Sequence, residues 1–85
     1  MQLVFTDHFK LQILERKISE KTVKDVLETS EQIFITGTIK VAQKTYFDST
    51  NKKEYLIRVI FEEKNDCKKL ITAYKTSKIE KYSRR

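Results

Sequence analysis

Proline is absent from these 85 residues, and glycine and cysteine occur once each. A chain so poor in both breakers is neither a flexible linker nor a low-complexity segment. Cys67 has no second cysteine to pair with, which excludes an intrachain disulfide. That fits a reducing compartment, and the expected location is the cytoplasm. His8 is the only histidine, and one His with one Cys cannot assemble the usual zinc sites. No metal and no other cofactor is therefore expected. No apolar run approaches the roughly 20 residues that a membrane span needs. Residues 1–5 carry no basic segment ahead of a long apolar stretch, so neither a signal peptide nor a membrane partner is expected.

What is present is charge. Asp, Glu, Lys and Arg make up 35% of the chain, yet apolar residues recur at clear periods, as in a folded protein. Residues 1–85 read as a single domain with a small core. The formal net charge is +6, and its placement matters more than its size. Residues 1–63 hold ten basic and ten acidic side chains, whereas residues 64–85 hold eight basic ones (Lys64, Lys68, Lys69, Lys75, Lys78, Lys81, Arg84, Arg85) against Asp66 and Glu80. A cluster of this kind attracts phosphate backbones or acidic proteins. For any single lysine, a solvating role is the plainer reading.

The periods give an element order. Residues 2–5 read as a short strand, and Thr6 or Asp7 can cap the helix that follows. Phe9, Ile13 and Leu14 fall at helical spacing there, with Leu11 and Ile18 flanking the stripe. His8, Gln12 and Arg16 share another face. Ser19 caps a second helix over residues 20–28, whose inward side chains are Val23, Val26 and Leu27. Thereafter the period is two. Strands are expected over residues 32–36, 39–47, 55–61 and 70–75, with turns at Gly37, at residues 48–53 and at residues 64–69. Short turns favour antiparallel neighbours. The predicted fold is α+β, in the order β-α-α-β-β-β-β, with an antiparallel sheet and the helix pair on one face.

Arg58 stands out in this pattern. It lies in mid-strand between Leu56 and Ile60, and a charge there is costly to bury without a partner. If Ile71 and Ala73 share the core face with Ile57, Val59 and Phe61, then Thr72 and Tyr74 join Arg58 on the opposite, open face. A guanidinium, a hydroxyl and a phenol would stand on one platform.

Several of these residues resemble a known group. His8 and Arg16 in the first helix, the step Arg16-Lys17-Ile18-Ser19, and the late run Ile71-Thr72-Ala73-Tyr74-Lys75-Thr76-Ser77-Lys78 with Tyr82 resemble a small family of unknown function. That family is thought to belong with the RelE/ParE-like toxins. The ending also resembles that of BrnT-type toxins, where Ile-Ser-Ala-Arg stands in place of Ile71-Thr72-Ala73-Tyr74. Gln12 stands where the family usually has arginine. The resemblance implies a RelE-like fold and the toxin half of a toxin–antitoxin pair. Such a toxin cleaves RNA without a metal, often on the ribosome, and is held by a cognate acidic antitoxin.

Metal-free RNA cleavage needs a base for the 2′-hydroxyl, cations for the phosphate and an acid for the leaving oxygen. Arg58 is the first candidate cation, because guanidinium grips phosphate in bidentate fashion. Lys75 and Lys78 are secondary ones. His8, of a residue type that titrates near pH ~6.5, is the candidate for proton transfer, and it competes with a capping or packing role at the helix start. Tyr74 can donate a proton or stack on a base, and Thr72 completes the catalytic set. Arg16, Lys78, Lys81 and Tyr82 are the candidate RNA contacts. Arg16 also suits ordering of the helix–helix turn, and Tyr82 suits docking of the tail on the sheet. Two functions stay open: a metal-independent endoribonuclease, and a non-catalytic basic module that binds RNA or an acidic protein.

Overall fold

The period-two segments form one five-stranded sheet in the computed structural model, which describes residues 2–82. β1 (Gln2–Val4) leads into α1 (Asp7–Glu15) and α2 (Glu20–Thr29). β2 (Gln32–Thr36), β3 (Ile39–Asp48), β4 (Lys53–Lys64) and β5 (Cys67–Thr76) follow as a meander. A short α3 (Ile79–Tyr82) comes last. Arg84 and Arg85 of the basic segment lie outside the described residues.

The α+β class and the order β-α-α-β-β-β-β are as expected, with α3 added. The sheet, however, is mixed rather than antiparallel. Its spatial order is β1-β5-β4-β3-β2, and β1 runs parallel to β5. Tight turns dictate antiparallel pairing only from β2 to β5. The helix pair instead carries the chain from β1 to β2 at the far edge, and the three turns of the meander bring β5 back beside β1 in the parallel sense.

Thr6 starts α1, its hydroxyl accepting from the Phe9 N–H at 3.1 Å, and Ser19 does the same for Thr22 in α2 at 3.1 Å. The end of α1 is a Schellman motif. The Ile18 N–H reaches the Ile13 carbonyl at 2.8 Å and the Lys17 N–H reaches that of Leu14 at 3.2 Å. Lys17, not glycine, takes the left-handed position, with φ 58°. The motif folds Ile18 back beside Ile13, and both are buried.

One core lies between the helices and the sheet. Phe9, Ile13, Ile18, Val23 and Val26 pack on Ala42, Ile57, Val59, Phe61, Leu70 and Ala73. Leu27 is half-buried against them. Leu14 and Leu11 do not join the apolar stripe, being 73% and 55% exposed. Phe9 and Ile13, four residues apart, fill the inward stripe of so short a helix, and Ile18 closes it. On β5, Ile71 is displaced from the expected core face. A bulge between Ile60 and Phe61 adds a residue to β5, so Leu70 and Ala73 point inward.

The expected turn over residues 64–69 shrinks to Asn65 and Asp66, whose φ values of 53° and 60° suit a two-residue type I′ turn. Lys68 and Lys69 are strand residues opposite Glu63 and Glu62. The basic segment is therefore not a tail. It runs along β5 and into α3, which separates Lys64, Lys68 and Lys69 from Lys78 and Lys81.

Candidate functional site

Strand alternation puts Arg58 on the sheet face away from α1 and α2. Its register partners are Gln43 on β3 and Tyr74 on β5, so the three side chains form a row across three strands. Arg58 Nε donates to Gln43 Oε1 at 3.0 Å, and Nη1 donates to the Tyr74 phenol. Two rings lie against the guanidinium, with centroids 4.4 Å away for Tyr82 and 5.7 Å for Tyr74. Tyr74 and Tyr82 meet edge to face at 6.2 Å.

This end of the face is not open, as the alternation alone suggested. α3 packs against β4 and brings Tyr82 over Arg58, which leaves Arg58 half-buried. Leu56, on the same face, is 2% exposed. The charge of residues 64–85 made that segment read as solvated, but Ile79 and Tyr82 give it apolar cover. Tyr82 thus docks α3 on the sheet.

Gln43 was not among the expected site residues, yet it builds the site. It is the one buried polar side chain among the described residues, at 1% exposure. Its amide nitrogen donates to Gln32 Oε1 at 2.7 Å and to the Tyr82 carbonyl at 3.2 Å, while its oxygen takes Arg58. Every polar atom of this buried amide thereby has a partner. The sequence carries only part of the signal: period two groups Gln43 with Val41 and Thr45, and the β3–β4 register then sets that face beside Arg58.

Thr72 shares the strand face of Tyr74, but its hydroxyl turns to α1. It donates to Gln12 Oε1 at 2.7 Å and accepts from Arg16 Nη1 at 3.0 Å. Arg16 Nη1 also donates to the Ala73 carbonyl at 2.7 Å. Gln12 Nε2 lies 2.8 Å from His8 Nε2. With the amide oxygen occupied by Thr72, the amide nitrogen is the donor and His8 Nε2 accepts. The single expected platform is therefore two clusters: Arg58–Gln43–Tyr74–Tyr82 on the face, and Thr72–Gln12–Arg16–His8 along the β5 edge. Thr6, not His8, caps α1. Arg16 does bind a carbonyl, but that of a strand rather than of the helix–helix turn.

Lys75 leaves the group altogether. It pairs with Ile57 on the helix side of the sheet, and its ammonium lies 5.5 Å from the Tyr55 ring centroid. Lys78 and Lys81 are exposed and, with Glu54, Ser77 and Ile79, line a shallow open depression beside α3. The Lys81 ammonium lies 5.5 Å from the Tyr82 ring centroid.

Elsewhere the ionisable groups serve the fold. Asp25 accepts from the Tyr46 phenol and from Lys44 at 3.0 Å, tying α2 to β3. These bonds hold its carboxyl below the ordinary value, while burial and then Asp25 push the Tyr46 phenol well above its own. Among the described residues, no group of three or more His, Cys, Asp or Glu could hold a metal. Nor, among them, is any helix long and apolar enough to cross a membrane.

A family model described as a domain of unknown function, DUF4258, matches residues 5–75. That span includes His8, Arg16, Gln43, Arg58, Thr72 and Tyr74, and stops short of Lys78, Lys81 and Tyr82. No curated protein and no solved structure matches the chain. Most of the sequence lies within the matched span, and the protein belongs to the DUF4258 family, a domain of unknown function.

Proposed function

We propose that this chain is a basic module that binds RNA on the sheet face away from α1 and α2, through Arg58, Tyr74 and Tyr82. The observation that carries the reading is Arg58 lying against two tyrosine rings while still half-exposed. Single-stranded RNA needs a cation for its phosphates and flat rings for its unstacked bases. Lys78 and Lys81 beside α3 extend the positive surface.

The toxin reading, a cytoplasmic RelE-like endoribonuclease acting without metal on free or ribosome-bound RNA and held by an acidic antitoxin, has one observation in its favour. The Tyr74 phenol touches Arg58, so a proton donor sits beside a phosphate-binding cation. Among the described residues no base is seen beside them: His8 engages Gln12, not Arg58 or Tyr74. This asymmetry ranks binding ahead of cleavage.

The test is fluorescence anisotropy of labelled single-stranded RNA over a salt series, with wild type beside Arg58→Ala. Tight binding at low salt that weakens steeply as salt rises supports the module, and no binding at low salt refutes it. Gels of the same mixtures, with chelator present, decide the second reading. Products ending in a 2′,3′-cyclic phosphate, made by wild type and not by Arg58→Ala, would move the toxin ahead.

A further inference from the structure

The two edges of the sheet are treated differently. On one side β1 is only three residues long, and beyond it Arg16 takes up the outward Ala73 carbonyl of β5. Short edge strands and capped edge groups are devices that prevent strand addition. On the other side β2 is five residues long, and among the described residues no side chain is seen to take up the outward main-chain groups of Ile33 and Ile35. The strand forms part of residues 32–39, the longest stretch without a charged side chain in a chain that is 35% charged. Ile33 and Ile35 are 52% and 63% exposed there.

The backbone of that edge can be oriented from the ladder. The Glu63 N–H donates to the Thr38 carbonyl, so even-numbered residues of β3 bond to β4. Odd-numbered ones, Ile39, Val41 and Gln43, therefore bond to β2. Their partners Thr36, Phe34 and Gln32 direct their main-chain groups inward. Ile33 and Ile35 thus direct theirs outward, and the same two residues present the exposed apolar side chains.

The geometry points to β2 as a self-association edge, pairing antiparallel with β2 of a second copy about a two-fold axis at Phe34. The segment is symmetric about that residue: Ile33 faces Ile35 of the other copy, and Gln32 faces Thr36. Each Ile33–Ile35 pair exchanges both main-chain bonds and stacks its side chains on the helix side. An isologous contact needs this self-complementarity. Charge favours the same occupant. Two chains of net charge +6 meet along a neutral strip, and the nearest cation, Lys40 opposite Ile35, is already paired with Glu63. An acidic partner strand would find no counter-charge at this edge.

Sedimentation velocity from about 10 μM to about 1 mM tests this, with amide hydrogen exchange at both ends of the range. Wild type should dimerise reversibly, and the Ile33 and Ile35 amides should be protected only at high concentration. Ile33→Lys/Ile35→Lys places like charges opposite each other and should weaken the dimer at least tenfold, by analogy with the roughly tenfold step that 1.4 kcal/mol makes. Ile35→Pro removes an outward N–H that the sheet does not use, so it should fold and fail to dimerise. Phe47→Lys, at another exposed apolar position, should dimerise as wild type does. A wild type monomeric throughout, a dimer unaffected by the isoleucine variants, or protection that appears only with an added acidic strand overturns the proposal.

Discussion

The side-chain amide of Gln43 donates to the main-chain carbonyl of Tyr82, 39 residues further along the chain, at 3.2 Å. Through this bond a buried residue of β3 fixes the short helix that lays Tyr82 over Arg58. The same amide accepts from Arg58 Nε, so the cation and its aromatic cover are positioned by one side chain. Order at the candidate site thus comes from the sheet interior, and the exposed lysines add charge without setting its geometry.

Gln43→Leu follows as the first prediction. The substitution keeps an apolar-compatible volume but removes the amide that Arg58 Nε and the Tyr82 carbonyl use. Unsatisfied groups of this kind cost about 1–3 kcal/mol. The melting temperature should fall by roughly 4–8 °C per kcal/mol for a domain of this size. Proteolysis should also nick α3 sooner than in wild type. An unchanged melting curve would show the amide to be dispensable.

Lys17→Gly should act in the opposite direction. Lys17 occupies the left-handed position of the α1 cap at φ 58°. An L-residue there costs roughly 1–2 kcal/mol, and glycine's extra freedom in the unfolded chain returns part of the gain. The expected net stabilisation is about 0.5–1 kcal/mol, measured by urea unfolding. A loss of stability would mean that Lys17 makes a contact the cap geometry does not reveal.

The fold should weaken on acidification. Asp25, Glu31, Asp48 and Glu63 are all held below their ordinary values, chiefly by Tyr46, the Thr45 N–H, the Thr50 N–H and Lys40 respectively. As pH falls, the unfolded chain takes up protons before the folded one does. These contributions are therefore complete above the unfolded pKa values, near 4, and are lost as pH drops through the lower folded ones. Urea midpoints should hold from pH 7 to about 5 and fall below pH 4. A midpoint that rises in acid would contradict the assignment.

These residues also show how far the sequence alone reaches. The alternation over residues 55–61 was enough to place Arg58 on the face away from the helices, because period two leaves it no other choice. Thr6 and Ser19 were legible as caps because their side chains act within three residues. Gln43 was missed because its importance depends on a cross-strand register that only the assembled sheet fixes. Ile71 was misplaced because Leu70 and Ile71 are equally apolar, so a bulge that exchanges them leaves no mark in the pattern. Lys68 and Lys69 read as loop because their strand runs past the core, where Glu62 and Glu63 replace apolar partners. The parallel pairing of β1 depends on where the meander ends, since β5 returns beside β1 after three turns, and no local period records that placement.

Arg58→Lys separates charge from geometry at the platform. Lysine keeps the positive charge, but its ammonium cannot reproduce Nε on Gln43 and Nη1 on Tyr74 in one plane. If Arg58 meets an RNA phosphate, Arg58→Ala should make the slope of log affinity against log salt shallower by about 0.7, the value for one contact on a single strand. Arg58→Lys should keep the slope, since the number of ionic contacts is unchanged. Its affinity should still fall, because the fork that grips phosphate and lies against the Tyr82 ring is gone. Anisotropy titrations of the three proteins at matched salt read both quantities. Equal affinity for lysine and arginine would reduce the role of this residue to charge alone. A slope unchanged in Arg58→Ala would remove the platform from the RNA-binding surface and shift it to Lys78 and Lys81.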